Sequence, residues 1–467
     1  MSASTSDRVI GQLADFCARL RFEDLPEDTV VAATERLVDS IGCAVGGLRC
    51  DAVRIGRLVA PTATARPPAL VGRAFGDQER TLPLPEAAFL NSAAIRYLDF
   101  NDAYAGGHPS DALGALIALA DARDASGAQL VTALVAGYEI FLRLCDAATL
   151  RERGWDQGFG IALATAAGAS VLLELDREQT AHALSIAAVA NVPMRATRAG
   201  ELSLWKGAAT AYAASGALYS TLLAAQGMSG PSAPVTGRHG LQDLVTGELE
   251  LDAFDPASSW VRRARIKYWP VEYHLQAAVW AGVELGGRLD EREVERLEVE
   301  TYWSCWHETG SESSKWDPRT RETADHSLPY VLATAFRTGR LDLAAFDEAA
   351  YLATDIRPLM DRVTVQVADD IQEGFPHTIR MRVTARLRSG EAVTADIVNP
   401  RGHEDNPVPT REIGEKMLRL VAVEYGEEQA RRILQGWEAV STATSLRPLL
   451  DLLVPASDAS TPTSKRG

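Results

Sequence analysis

Two long stretches without a charged residue, 158–173 and 207–225, are built mainly from Ala, Gly, Ser and Thr rather than from Leu, Ile and Val. A charge-free run of this length belongs either in lipid or in a protein interior. Side chains this small bury little apolar surface per residue, but they let two backbones approach closely. Both stretches are therefore expected to be core helices of a tightly packed bundle. Around them, 8–20, 26–42, 87–95, 112–119 and 128–146 carry apolar residues at helical spacing; in the first of these, Val9, Ile10, Leu13, Phe16, Cys17 and Leu20 form one stripe. Asp176 followed by Gln179 opens a further helix that must stop near Asn191 and Pro193. A large all-helical domain is expected over 1–266, interrupted between 61 and 85 by a Pro- and Gly-rich loop around a short strand at 69–71.

The texture then changes. Residues 297–302, 363–367, 378–387 and 392–397 have the alternating or β-branched character of strands, and Ser389-Gly390 marks a hairpin between the last two. With helices expected at 275–285, 326–337 and 343–349, residues 267–399 make a smaller α+β domain. Helices at 410–425 and 427–437 return the chain to the first domain, so that 400–454 completes it. The fold class is mainly α, and the Ser/Thr/Pro-rich residues 455–467 are expected to form a disordered tail.

A formal charge of −16 argues against wrapping nucleic acid or lying on an anionic membrane. It leaves room for a small anionic ligand wherever cations are gathered locally. The five cysteines are scattered and odd in number, without metal-ligand spacing, and residues 1–7 lack the features of a signal peptide. A reduced, cytoplasmic setting follows as the expectation.

The chemistry concentrates in four motifs. The run from Tyr97 to Asp111 places Asp99, Asp102, Asp111 and His108 in a segment broken by Gly106-Gly107 and Pro109. A helix end and its loop are expected here, a place where side chains converge on a ligand. A purely structural reading stands beside this one, with Asp99 and Asp102 capping helices and His108 held in a loop. The other motifs are Arg195, Arg198 and Lys206 ahead of a small-residue helix, Lys267 to His274, and Thr323 to Tyr330. Three of the eight histidines fall in these motifs. A base of tuned pKa, an acid and several cations suit proton removal next to a carboxylate. No phosphate loop, nucleophile elbow, zinc-protease motif or dinucleotide fingerprint is present in the sequence. No second ligand cluster is evident beside the acids and histidines, so neither a metal nor another cofactor is expected.

These residues resemble a known family. Leu98-Asp99-Phe100-Asn101-Asp102 with His108-Pro109-Ser110-Asp111 is similar to the signature of the MmgE/PrpD family, the 2-methylcitrate dehydratase-like enzymes. Further resemblance lies in 200–207, in Lys267-Tyr268-Trp269-Pro270 with His274 and Gln276, in 322–330, and in Gly402-His403 with Asn406-Pro407. The resemblance implies an α+β lid domain inserted into the helical one, a homodimer, no metal or iron–sulfur cluster, and a site between the domains for a small polycarboxylate. Carried over by position, the catalytic residues are Asp99, His108, Lys206, His274 and Tyr330, and the substrate-binding residues are Asp102, Arg198, Lys267 and His326.

The family includes dehydratases of 2-methylcitrate, decarboxylases of cis-aconitate and an epimerase of iminodisuccinate. Where the decarboxylases carry a further histidine after a Gly-aromatic pair, Gly154-Trp155 is followed here by Asp156. That departure leans toward dehydration of a 2-methylcitrate-like substrate, a step of propionate catabolism. Against it, the 102–108 segment is short, and Ala112 stands where dehydratases often have Asn. Decarboxylation or epimerisation on the same scaffold is the alternative, and an inactive polycarboxylate-binding dimer a remote one. Either Asp99 or His108 is expected to move the proton, Lys206, Arg198 and Lys267 to hold carboxylates, and His274 and Tyr330 to orient the substrate or protonate the leaving hydroxyl.

Overall fold

The computed structural model describes residues 7–64, 70–148 and 150–454. The expected disordered tail, 455–467, and residues 1–6 lie outside the described residues. The chain is mainly α, as expected. Its first half contains α1 (Arg8–Arg19), α2 (Glu27–Gly47), α3 (Asp51–Val59), β1 (Val71–Ala74), β2 (Asp77–Pro83) and α4 (Leu84–Tyr97). There follow α5 (Leu113–Ala122), α6 (Gly127–Ala147), α7 (Gly158–Leu172), α8 (Arg177–Ala190) and α9 (Trp205–Ala225). This half is not purely helical, because β1 and β2 pair as an antiparallel hairpin. The strand expected at 69–71 begins outside the described residues and is observed as β1.

Small residues do the packing. α7 lies against α6, α8 and α9, buried along almost its whole length. A Cβ added to Gly168 would stand 2.7 Å from the Ala133 carbonyl oxygen, and one at Gly137 3.0 Å from that of Ala164, so α6 and α7 touch backbone to backbone. α4 packs on α2, α5 and α9. At α8 the expected start is present in full: Asp176 and Gln179 form a reciprocal capping box.

One buried apolar cluster unites α1 to α9 with residues between Ile413 and Leu453, and another lies within the second half. The helical run Thr410–Glu438 packs on α2 and is broken at Gly426, whose φ of 77° separates two helices where the sequence divides them. In the second half, β3 (Val294–Thr301), β4 (Val363–Val367), β5 (Arg380–Leu387) and β6 (Ala392–Val398) form a sheet of order β4-β3-β5-β6. The β3–β4 pair is parallel and the other two antiparallel, with the β5–β6 hairpin turning through Ser389-Gly390. α10 (Gln276–Gly286) packs on β5, β6 and the Leu328–Thr338 helix. The helix expected at 343–349 is instead two separate turns, Leu343–Phe346 and Glu348–Tyr351, because Asp347 takes an extended cap conformation between them.

Among the described residues, α6 is the one helix long and apolar enough to cross a membrane by length and composition. Its apolar window is 83% buried inside the fold, as a core helix requires.

Candidate active site

The loop after α4 is built around a backbone turn that few side chains tolerate. Asp99 has φ of 50°, the left-handed region, and redirects the chain at the helix end. The loop then closes on itself through the Tyr104–Gly107 bridge and pairs Ala103 with Arg265 of the distant segment before the second half. Asn101 Nδ2 donates to Ser110 Oγ at 2.7 Å and to Asp111 Oδ1 at 2.9 Å. Asp102 Oδ1 accepts the Ser110 N–H at 3.1 Å, and its Oδ2 accepts the Tyr138 hydroxyl at 2.7 Å. Asp102, expected to bind substrate, thus ties the loop to itself through Oδ1 and braces it against α6 through Oδ2. Gly107 is a glycine of necessity: a Cβ there would stand 1.6 Å from Gln157 Oε1, the atom that accepts the His108 N–H.

Asp99 itself is 1% exposed and surrounded by cations. Arg96 Nη1 lies 2.9 Å from Oδ1, Lys206 Nζ lies 2.8 Å from Oδ2, and Lys267 Nζ donates to both Oδ1 and the Asp99 carbonyl. His108 Nε2 and His326 Nε2 stand 3.8 and 3.7 Å from its two oxygens. Asp325 closes the group, with Lys206 3.4 Å away and Arg321 3.3 Å away. Burial by itself raises the Asp99 carboxyl, but Arg96, Lys206, Lys267 and His326 together hold it well below the usual carboxylate range. Asp99 is therefore an ionised anchor with every oxygen engaged.

The two histidines are held in the opposite sense. Burial, reinforced by Arg96 and Lys267, keeps His108 well below the usual imidazole range, and burial with Lys206 brings His326 down to about 3. Both rings are neutral at pH 7. His108 Nδ1 is 2.7 Å from the Asp102 carbonyl oxygen, which only accepts, so Nδ1 carries the proton and Nε2 presents a bare lone pair toward Asp99. His326 Nδ1 lies 2.5 Å from Asp325 Oδ1 and donates to it in the same way. Burial also lowers the Lys267 ammonium from its ordinary value. Ligand atoms of Asp99, Asp325 and His326 come within 4.8 Å of one another, the spacing of a metal cage. The donor set does not suit a metal ion, since Arg96, Lys206 and Lys267 already occupy the Asp99 oxygens and would repel it.

A second charged group gathers around His274, whose Nδ1 is 2.6 Å from the Tyr302 hydroxyl and whose Nε2 is 3.5 Å from Arg151. Glu272 Oε2 accepts the His274 N–H at 2.6 Å, and burial pushes its carboxyl up to about 7. Glu308 pairs with Arg195 at 2.5 Å and with Arg151 at 3.5 Å; against the opposing effect of burial, the two guanidinium groups bring its carboxyl down to about 2. Arg198 is bound to buried Asp156 at 2.5 Å, an internal ion pair. Tyr330 stands apart from both groups. Its hydroxyl donates to the Ala345 carbonyl, its ring packs edge-on against Phe346, and it lines a cavity with Thr334, Arg337 and Ile356.

The model of the MmgE/PrpD N-terminal domain matches residues 11–253, and that of the C-terminal domain matches 269–439. The chain belongs to the MmgE/PrpD family. The 2-methylcitrate dehydratase of Cupriavidus necator is 27% identical, covering 85% of this chain and 86% of its own. That of Escherichia coli (strain K12) is 25% identical over 92% of this chain and 93% of its own. The alkylcitrate dehydratase phiI of a fungal species is 27% identical over 92% and 91%. By this likeness the chain is an enzyme, a lyase of the hydro-lyase kind.

Within this MmgE/PrpD chain the cluster straddles the two matched regions. Asp99, His108 and Lys206 come from the N-terminal match, Asp325 and His326 from the C-terminal one, and Lys267 from the link between them. Sequence reasoning passed over Arg96, Arg151 and Glu308, and held Asp325 and Glu272 within its motifs without giving either a role. Arg96 had a usable signal, since it precedes Asp99 by three positions on a helix end. Arg151 and Glu308 had none, because they meet only across the tertiary fold.

Proposed function

We propose that the chain dehydrates 2-methylcitrate, or a closely related small tricarboxylate, in the cytoplasm as a step of propionate catabolism. The observation that carries this reading is a neutral His108 with a bare Nε2 beside an Asp99 clamped by Arg96, Lys206 and Lys267. His108 Nε2 takes the proton from the carbon next to a substrate carboxylate. The negative charge that develops on that carboxylate is met by Lys206 and Lys267. Lys267, made more acidic by burial, gives its proton to the hydroxyl as the carbon–oxygen bond breaks and water leaves. A carbon–carbon double bond forms, and proton return from His108 to Lys267 resets the site. Asp99 positions the cations rather than acting as the base. Asp156 supports dehydration over decarboxylation, since the position after Gly154-Trp155 is taken up by an ion pair with Arg198.

The second-half domain acts as a lid over this seam, and the protein works as a homodimer. For the dimer, the support is an exposed apolar face: Trp205, Tyr212 and Tyr219 recur every seventh residue on α9 at 48, 63 and 55% exposure, beside Ile55 and Val59 of α3. The five unpaired thiols fit a reducing compartment.

The test is to incubate purified protein with 2-methylcitrate, citrate, cis-aconitate and iminodisuccinate and to follow each by NMR in deuterated water. Loss of water from 2-methylcitrate, abolished in His108→Ala, is the expected result. Carbon dioxide release from cis-aconitate alone, racemisation without loss of water, or no reaction at all overturns the substrate assignment.

A further inference from the structure

We infer that Lys315 is an additional anion-binding residue of this site, taking a carboxylate of the small polycarboxylate from the side of the second domain. The choice of lysine in this chain is unusual. The sequence has five lysines, and the four that are described, Lys206, Lys267, Lys315 and Lys416, are all buried, while the exposed cations are arginines. Three of the four have a carboxylate: Lys206 and Lys267 hold Asp99, and Lys416 lies 2.6 Å from Asp39. Lys315 is 2% exposed, and among the described residues its ammonium has neither a hydrogen bond nor an ion pair. A desolvated ammonium with no anion is costly and is tolerated where a ligand supplies the missing charge.

Its place in the fold says which ligand. Lys315 sits on the short turn Ser313–Trp316, which is pinned from two directions. Just before it, Glu312 accepts the Gly200 N–H at 3.2 Å, tying the turn to the segment that leads into Lys206. The Lys315 carbonyl accepts the Ser327 hydroxyl, one residue beyond His326. Lys206, Asp325, Glu308 and Glu312 are the charged groups within electrostatic reach. Glu308 is already committed to Arg151 and Arg195. With Glu312 counted, the cations Arg96, Lys206, Lys267, Arg321 and Lys315 still outnumber the carboxylates Asp99, Asp111, Asp325 and Glu312 at this seam. The surplus positive charge suits an anionic ligand. Burial lowers the Lys315 ammonium from its ordinary value, and a bound carboxylate reverses that. The identity of the ligand as a tricarboxylate rests on the proposed function; the anion-binding role of Lys315 does not.

The experiment compares wild type, Lys315→Met and Lys315→Arg by thermal unfolding with citrate, tricarballylate, succinate and inorganic phosphate, and by steady-state kinetics on 2-methylcitrate. The expected result has two opposite parts. Without ligand, Lys315→Met unfolds at the same or a higher temperature than wild type, because an uncompensated charge has gone. With ligand, its stabilisation is lost, its KM rises about tenfold to a hundredfold with a smaller change in kcat, and Lys315→Arg recovers part of the effect. Equal stabilisation of wild type and both variants by the same anion overturns the role of Lys315 while leaving the proposed function standing. Loss of anion stabilisation in Lys315→Met without turnover of 2-methylcitrate by wild type upholds the role and overturns the substrate. Absence of stabilisation of wild type by every anion overturns both. If Lys315→Met does not fold, the charge is structural and the inference fails, unless Lys315→Gln folds and reproduces the loss of ligand stabilisation.

Discussion

Lys206 Nζ lies 2.8 Å from Asp99 Oδ2, joining the first turn of α9 to the residue that turns the chain at the end of α4. The bond is buried, and the same carboxylate also holds Arg96 and Lys267. Asp99 is thus the common anion for three buried cations, and its removal leaves Lys267 without an ion pair among the described residues and leaves Arg96 and Lys206 with only the longer contacts to Asp111 and Asp325.

Asp99→Asn keeps the shape of the side chain and removes the charge. Breaking a buried pair from one side costs about 3–5 kcal/mol, and the several cations here place this variant at the upper end. Urea unfolding is expected to show that loss of stability together with loss of turnover. A variant as stable as wild type contradicts the anchoring role.

Stability is expected to fall on the acid side of pH 6.5. His108, His274 and His326 are held below their ordinary values in the folded state, so the unfolded chain binds more protons once the pH drops below about 6.5. Folded stability then decreases as the pH falls, until the folded-state value is reached. For His326, with its folded value at about 3, the loss amounts to roughly 3 kcal/mol by pH 4. Thermal unfolding of His326→Gln between pH 7 and pH 4 is expected to show a shallower decline than wild type; an identical slope contradicts the neutral buried ring.

Tyr330→Phe removes a hydroxyl that reaches the Ala345 carbonyl and not the Asp99 cluster. The expected cost is about 1 kcal/mol of stability, with kcat retained within a factor of about two. His108→Ala run in parallel is expected to lose activity. A large fall in kcat for Tyr330→Phe would return this tyrosine to the chemistry.

Gly114 stands where α5 crosses α4, and a Cβ there would lie 2.2 Å from the Ser92 nitrogen. Gly114→Ala must push apart the two helices that flank the Asp99–His108 loop. A destabilisation of about 1–3 kcal/mol is expected, with a fall in kcat at temperatures where the variant remains folded. Unchanged stability means that the helices yield more easily than their backbone contact implies.

The chain's own pattern determined its elements. Helical spacing, the Asp176–Gln179 cap, the Gly426 break and the Ser389-Gly390 turn are local signals, because propensity and capping act within a few residues. The same patterning, with the family resemblance, gathered nine candidate residues, and the fold brings five of them, Asp99, His108, Lys206, Lys267 and His326, together. Side-chain direction was decided elsewhere. Asp102 and Asp99 are three residues apart, yet one turns into α6 toward Tyr138 and the other into the cation cluster, because the left-handed turn at Asp99 sends them to opposite sides. Tyr330 follows His326 closely in sequence but lies in the first turn of the next helix, facing Phe346. Ionisation state was likewise a product of the tertiary structure, since a pKa answers to burial and to charges close in space. Arg96, Lys206 and Lys267 lie far apart along the chain, and only folding places them around one carboxylate.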